Sequence, residues 1–460
     1  MSKRKDVHDN INARGDEFLR YLIDLVSQPS ISARDEGVKE CADLLAGILQ
    51  DLGIDSRILP TGGQPVVYGE VSSDDPGAPT LICYGHYDVQ PPEPLELWES
   101  APFVPTIRNG RLFGRGTGDN KGQLLTHVLA ASAWMKTREA PPVNLKFVFE
   151  GEEESGSPNL GTFVASNKEM LQGDLVLISD GTKHPSGAPL ISLGNRGVIG
   201  VTLRARGADR DNHSGNKGGV APNPAWMLIH VLANTVDSSG RVLIDGFYDD
   251  VRPVSEMDRE IISRLPFDPE EFGATMGLPR VEMSKEEYYR KIMLEPYFNI
   301  NGMISGYTGP GSKTIIPSEA EVRIDIRTVV DQTFEDLVAK LRSHVAGIDP
   351  RVEVQVRGIG GMEASRTPAE HPSIPVIAGA IQSAQGVEPY INLSSGGSLP
   401  NAVWPRHLGI PHVGVPYANA DENNHSPNEN LQLDCFYDGI HTSAEIFAAL
   451  ARAKREGQMG

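Results

Sequence analysis

Reactive side chains gather in this chain in short polar clusters that follow apolar runs. His86 and Asp88 stand in Tyr84-Gly85-His86-Tyr87-Asp88, directly after Leu81-Ile82-Cys83. Asp119 stands in Gly114-Arg115-Gly116-Thr117-Gly118-Asp119-Asn120-Lys121-Gly122, which opens a helical pattern. Glu152-Glu153-Glu154-Ser155-Gly156 follows Phe147-Val148-Phe149, and Ser179-Asp180-Gly181 follows the apolar run 175–178. The last cluster, Asn424-His425-Ser426-Pro427-Asn428-Glu429, precedes the final helical pattern. Each alone has an ordinary explanation. His86 would serve as a satisfied, partly buried histidine, and Asp119 and Asp180 as helix caps or turn residues. The glutamate run would be a solvated loop, and His425 a decoration of the adjoining helix. Together, two histidines and three carboxylates are N/O ligands of the kind that hold zinc, cobalt or manganese. A carboxylate beyond the ligand set is what a metal-assisted hydrolase needs as its base.

The elements that position these clusters emerge from periodicity. Phe18, Leu19, Leu22, Ile23 and Val26 recur at helical spacing, as do Val38, Cys41, Leu44, Leu45, Ile48, Leu49 and Leu52, with Gly53 as a stop. Short strands are expected over 66–71, 81–84, 145–149 and 175–178, with a helix after Gly122. Apolar strands alternating with helices make an α/β sheet covered on both faces, whose ligand sites lie at strand ends. After Gly200 the pattern changes. Strands are expected over 201–206, 319–327 and 352–356, with helices over 224–236 and 334–345. In the run 319–327, Ala320, Val322, Ile324 and Ile326 take one face, and Glu321, Arg323, Asp325 and Arg327 the other. That alternation marks a strand with one wet face. This order suits a small open-faced α+β domain, with residues 240–300 as an insertion. A helix from Pro372, a strand over 411–415 and a long helix from Leu431 close the chain.

Composition narrows the function classes. The 460 residues carry 42 Lys+Arg against 61 Asp+Glu, a net charge of −19. Length suggests two or three domains, and the acidic excess argues against nucleic acid or an anionic membrane as partner. Cys41, Cys83 and Cys435 form no paired motif, which excludes a disulfide scaffold. No run approaches the roughly 18 apolar residues of a membrane span, and the basic start has no apolar stretch behind it. A soluble cytoplasmic protein is expected. Gly114-Arg-Gly-Thr-Gly lacks the third glycine of a dinucleotide fingerprint, and no Gly-Lys-Ser/Thr appears. Ser155 and Ser398 lack a nucleophile elbow.

Taken in order, the clusters resemble peptidase family M20, the di-metal amidohydrolases. That family includes carnosinase-type dipeptidases, glutamate carboxypeptidases, aminoacylases and metabolite deacylases. The dipeptidase branch is the nearest in motif, through His86-Tyr-Asp-Val-Gln-Pro-Pro, Glu153-Glu-Ser-Gly-Ser, His213-Ser-Gly and Gly396-Gly-Ser-Leu-Pro. The resemblance implies His86, Asp119 and Asp180 as ligands of one metal. It implies Asp119, Glu154 and His425 as ligands of the other, with Asp119 bridging. Two divalent ions, zinc with manganese or cobalt as alternatives, would share a water ~3.5–4 Å apart. Asp88 would orient His86, and Glu153 would be the general base. The register rests on Ser155-Gly156; a shift to Glu152 and Glu153 would break that spacing. Asn120 replaces an aspartate of many relatives and makes the site less negative, and the Asp119–Asn120 peptide is expected to be cis.

The resemblance further implies a phosphorylase/hydrolase-like α/β catalytic domain, residues 1–196 and 370–460. Inserted in it would be an α+β, ferredoxin-like lid and dimerisation domain, residues 197–369. His213 would reach the site of a second subunit and stabilise an oxyanion; read by itself it is an exposed loop histidine. Arg327 would hold a substrate carboxylate, where the plain reading is a cross-strand salt bridge. Thr314 and Ser398 would be further substrate contacts, and a dipeptidase lid histidine is replaced near Ile359. The expected activity is hydrolysis of an amide bond in a small substrate, a dipeptide or N-acyl amino acid, by a homodimer. The alternatives are an N-deacylase or carboxypeptidase of the same family, and outside it a metal-free, peptide-binding relative. The complete ligand set disfavours the last.

Overall fold

A computed structural model describes residues 2–458; the side chains of Ser2, Lys3, Arg4 and Ile359, and the surroundings of Gly360, lie outside the described set, and the lid-histidine position near Ile359 falls there. Its centre is an eight-stranded mixed sheet. From one edge the strands are Asp55–Leu59, Val66–Val71, Asn144–Glu150, Thr80–His86, Leu175–Ile178, His412–Gly414, Leu190–Ser192 and Tyr390–Asn392. Asn144–Glu150, Thr80–His86, Leu175–Ile178 and His412–Gly414 run parallel to one another. Leu81, Ile82, Cys83 and Tyr84 are all buried, as a strand covered on both faces requires.

One face packs against Gly15–Ser27, Val38–Asp51, Lys121–Arg138, Ser373–Gln385 and the long helix Leu433–Arg455, in a single apolar core. The other packs against the shorter helices Leu160–Ser166 and Val403–Leu408, around Trp404 and Tyr84. The three cysteines are buried and free. No helix among the described residues is long and apolar enough to cross a membrane.

A second, antiparallel sheet has four strands in the order Tyr297–Ser305, Glu319–Thr328, Gly197–Arg206 and Val352–Met362. The helix Pro224–Ala233 comes after its first strand in the chain, and Phe334–Ile348 after its third. This is the β-α-β-β-α-β arrangement, with its own core of Val201, Leu203, Leu228, Val322, Ile324 and Leu341.

Three expectations need correction. Tyr297–Ser305 is an edge strand, whereas residues 240–300 read as an insertion. Its strand signal is masked because most of it is exposed on both sides and its register shifts between Ile300 and Gly302. The last helix begins at Leu433, because Asn430–Gln432 first pairs as a strand with Arg111–Phe113. The helix from Pro224 ends at Ala233, where Asn234 caps it, and does not reach Val236.

Candidate metal centre

The parallel strands deliver the polar clusters to one edge. His86 is the last residue of Thr80–His86, Glu153 and Glu154 come after Asn144–Glu150, and Asp180 comes after Leu175–Ile178. His425 lies in the loop between His412–Gly414 and Asn430–Gln432, and Asp119 lies just before the helix Lys121–Arg138. Strands that run the same way end on the same side, so residues distant in the chain converge there.

They converge as two triads. Ligand-type atoms of His86, Asp119 and Asp180 lie within 4.8 Å of one another, and so do those of Asp119, Glu154 and His425. Asp119 belongs to both and divides its oxygens: Oδ1 is 3.1 Å from His86 Nε2 and Oδ2 is 3.1 Å from His425 Nε2. His86 Nε2 also lies 3.5 Å from Asp180 Oδ2, and His425 Nε2 lies 3.1 Å from Glu154 Oε2. His86 Nε2 is buried and faces these carboxylates without hydrogen-bond geometry. A lone pair directed at two carboxylates suits a shared cation, so the residues present fit a pair of divalent ions.

Electrostatics point the same way. Asp119, Glu153 and Asp180 line one cavity of about 470 Å³ with His425 and Ser398. Burial pushes the Glu153 carboxyl well above its usual range, and Asp180, Glu154 and Asp119 add to the push while His86 opposes it. Burial also raises Glu154. Asp119 goes the other way: burial works against its charge, but the close imidazoles of His425 and His86 outweigh that and hold it low. Contacts with Asp119 and Glu154 lift His425 to about 10. Carboxylates crowded so closely repel one another unless positive charge lies between them.

The glutamates divide their tasks by direction. Glu154 joins the second triad and accepts from Gln90 Nε2 at 2.9 Å. Glu153 faces the cavity. Glu152 turns away, accepting from Asn159 Nδ2 at 2.8 Å. Asp88 is buried, and its two oxygens accept from the Glu153 and Glu154 backbone N–H groups at 3.1 Å each. Its carboxylate is 3.5 Å from His86 Nδ1, but its backbone carbonyl is nearer, at 3.1 Å. Asp88 therefore holds the glutamate turn with its side chain and the imidazole with its main chain. The Asp119–Asn120 peptide is cis, and Asn120 Nδ2 donates to Ser179 O at 2.6 Å.

The structure keeps His213 and Thr314 out of this cluster. Both are exposed on the smaller sheet's side, where Asn212–His213 pairs with Ile315–Ile316 and Ser214 N donates to Thr314 O at 3.0 Å. His213 Nδ1 accepts from Gly215 N at 3.0 Å, so the neutral ring carries its proton on Nε2. Arg327 reaches across instead: its Nη1 donates to Ser398 Oγ at 3.0 Å, on the cavity wall.

Two glutamates that no motif assigns a role stand close to the site. Glu429 is fully buried and accepts from Arg115 Nη1 at 2.8 Å, Gly116 N at 3.0 Å, and Gly118 N and Asp119 N at 3.1 Å each. It thereby fixes the loop that carries the shared aspartate. Its place in the fifth cluster was the available signal. Glu422 is buried with neither carboxylate oxygen hydrogen-bonded, and burial pushes its carboxyl well above the usual range. Gly118 leaves room for it; a Cβ there would stand 1.9 Å from Glu422 Oε2. No sequence spacing marks Glu422.

The α/β fold with a converged N/O ligand set defines the class, and comparison with known proteins gives the family. The chain belongs to peptidase family M20/M25/M40, whose family model matches residues 82–449. Within it the chain resembles the carnosinase-type branch and is a dipeptidase-like metallopeptidase. It is 30 % identical to human Beta-Ala-His dipeptidase over 97 % of this chain and 92 % of that protein. It is also 30 % identical to the Cys-Gly metallodipeptidase DUG1 of Candida albicans over 94 % of each. Among solved structures, the M20 family metallo-carboxypeptidase Sso-CP2 of Sulfolobus solfataricus superposes with a TM-score of 0.86. Identity to it is 34 %, over 95 % of this chain and 99 % of that one.

Proposed function

We propose that this enzyme hydrolyses dipeptides that carry a free C-terminal carboxylate, at the site formed by His86, Asp119, Glu153, Glu154, Asp180 and His425. The observation that carries the reading is the pair of triads sharing Asp119, with Glu153 beside them in one cavity. His86, Asp119 and Asp180 would hold one divalent ion, zinc in the first instance, and Asp119, Glu154 and His425 the other. Ions held there would supply an activated water and polarise the scissile carbonyl. The protein's own groups do the rest. Glu153, raised by burial, takes a proton from the attacking water and returns it to the leaving amine nitrogen. Asp88 holds Glu153 and Glu154 in register through their N–H groups. Arg327 and Ser398 receive the substrate carboxylate, and Thr314, beside His213, would be a further contact in the opposite subunit's site.

Residues 197–369 act in this reading as lid and dimerisation domain on a catalytic part of residues 1–196 and 370–460. Support for association comes from the edge strand Tyr297–Ser305, which exposes Ile300, Met303 and Ile304, with Trp226 and Ile229 exposed nearby in the same domain. A two-fold pair through such an edge lets each lid serve the opposite site, where His213 Nε2–H would donate to the oxyanion.

Carboxypeptidase action is the second reading, favoured by the similarity to Sso-CP2. Both are tested by one panel of dipeptides, tripeptides and N-acyl amino acids, assayed with zinc, manganese and cobalt in turn. Dipeptides cleaved fastest support the first reading, and tripeptides losing their C-terminal residue at equal rates favour the second. Cleavage of N-acyl amino acids alone would overturn both.

A further inference from the structure

Beside the cavity, on the side of Ser398, two arginines stand together with, among the described residues, one long ion pair for both, from Arg327 to Asp325. Arg196 immediately precedes the strand Gly197–Arg206, and Val198, two residues on, pairs with Arg327 of the neighbouring strand. Alternate residues of an extended chain share a face, so both guanidinium groups come to the same end of the smaller sheet. Both also meet the Gly396-Gly397-Ser398 loop. Arg327 Nη1 lies 3.0 Å from Ser398 Oγ, and Arg196 Nη2 lies 3.4 Å from Gly396 O.

The arginines are poorly neutralised. Arg196 is half-buried, its Nε is buried without a hydrogen-bond partner, and its remaining contact is a long one, 3.4 Å to Lys291 O. No carboxylate pairs with it among the described residues. Burial and the nearby Arg327 charge both press its guanidinium toward the neutral form. Among the described residues Arg327 has one acidic neighbour, Asp325, whose Oδ2 is 3.8 Å from its Nε, a long ion pair, while Asn299 and Asn301 donate to Oδ1. Two like charges in a partly desolvated corner attract an anion, and planar guanidiniums match carboxylates. Gly397 and Ser398 of the same loop line the cavity that holds Glu153, Asp180 and His425, so the corner adjoins that cavity across the loop.

We infer that Arg196 is a specificity-determining residue, which together with Arg327 makes a two-carboxylate receptor for peptides whose C-terminal residue is itself acidic. This rests on the dipeptidase reading above. A substrate ending in aspartate or glutamate brings one carboxylate from the main chain and one from the side chain. Arg327 takes the first and Arg196 the second. A neutral C-terminal residue leaves Arg196 unpaired.

The test compares Ala-Glu with Ala-Gln, which match in size and differ in charge, on metal-loaded native protein, Arg196→Gln and Arg196→Lys. The native enzyme should cleave Ala-Glu with at least tenfold higher kcat/KM, mostly through KM. Arg196→Gln should bring the ratio near one, and Arg196→Lys should keep part of it. A ratio near one in the native enzyme overturns the inference. So does an unchanged ratio in Arg196→Gln, which would leave Arg196 as a tether for the Lys291 and Gly396 carbonyls. Calorimetric binding of free glutamate against glutamine gives an independent arm. Glutamate should bind at least tenfold more tightly to the native protein, with the difference lost in Arg196→Gln; equal binding overturns the inference. Should metal-loaded protein cleave no dipeptide at all, the dipeptidase reading fails, and this binding arm still decides the role of Arg196.

Discussion

Replacing Glu429 by glutamine keeps the shape of the side chain and removes its charge. In the native protein both carboxylate oxygens are used: Oε2 by Arg115 and Gly116 N, Oε1 by Gly118 N and Asp119 N. An amide keeps one oxygen and sets an NH2 against two groups that are themselves donors. Each hydrogen bond lost to a charged group is worth about 1.5–3 kcal/mol. Arg115, equally buried, would also lose its counter-charge, and breaking such a pair typically costs about 3–5 kcal/mol. These effects overlap, so the expected destabilisation of Glu429→Gln is about 3–5 kcal/mol. The assay is denaturant unfolding of chelator-stripped native and variant proteins, which keeps metal affinity out of the comparison. A loss within about 1 kcal/mol, the size of an ordinary neutral hydrogen bond, would refute the reasoning. In that case the Asp119 loop is held by something other than Glu429. Metal titration should also show weaker binding in the variant, because the Asp119 N–H has lost its anchor.

Glu153→Gln should abolish turnover while two metals per subunit remain bound, as measured by elemental analysis. If the metal content falls instead and Glu154→Gln keeps both metals, the two glutamates have exchanged roles. His213→Ala should lower kcat by 10²–10³, about 2.7–4 kcal/mol for one oxyanion donor, with metal content unchanged. Mixing it with Glu153→Gln under subunit exchange should restore part of the activity; no recovery despite demonstrated exchange would place His213 outside the opposite site. The contribution of two buried histidines to stability should fall as pH drops from 7 to 5. His127 and His412 are buried and held neutral, at about 3 and about 4, so below the ordinary histidine range the unfolded chain binds more protons. Linkage gives about 2 kcal/mol for each over that interval. His127→Gln should flatten this part of the pH profile in thermal melts; an unchanged profile would mean that His127 already ionises in the folded state.

The site could be read from the sequence because fully buried parallel strands are short apolar runs, and the polar residues just beyond each run must lie at the sheet's edge. Leu81-Ile82-Cys83 before His86 and residues 175–178 before Asp180 show this directly. The smaller sheet was legible where one face is wet, as in Glu319–Thr328, whose Ala320, Val322, Ile324 and Ile326 are buried. Its edge strand Tyr297–Ser305 was not, since an exposed, bulged edge carries no period-two pattern. Arg196 also escaped notice. It lies in no polar cluster, and only the pairing of Val198 with Arg327 reveals that two arginines share a corner. Glu429 was visible as a residue but not as an anchor, because its four partners lie more than 300 positions away. Long-range hydrogen bonds leave no local periodicity.

Anomalous diffraction from crystals of the metal-loaded protein tests the central claim most directly. The account predicts two peaks per subunit with Asp119 between them. One should lie against His86 and Asp180, the other against Glu154 and His425, with Glu153 touching neither. A single peak, or a peak coordinated by Glu153 in place of Glu154, would contradict it.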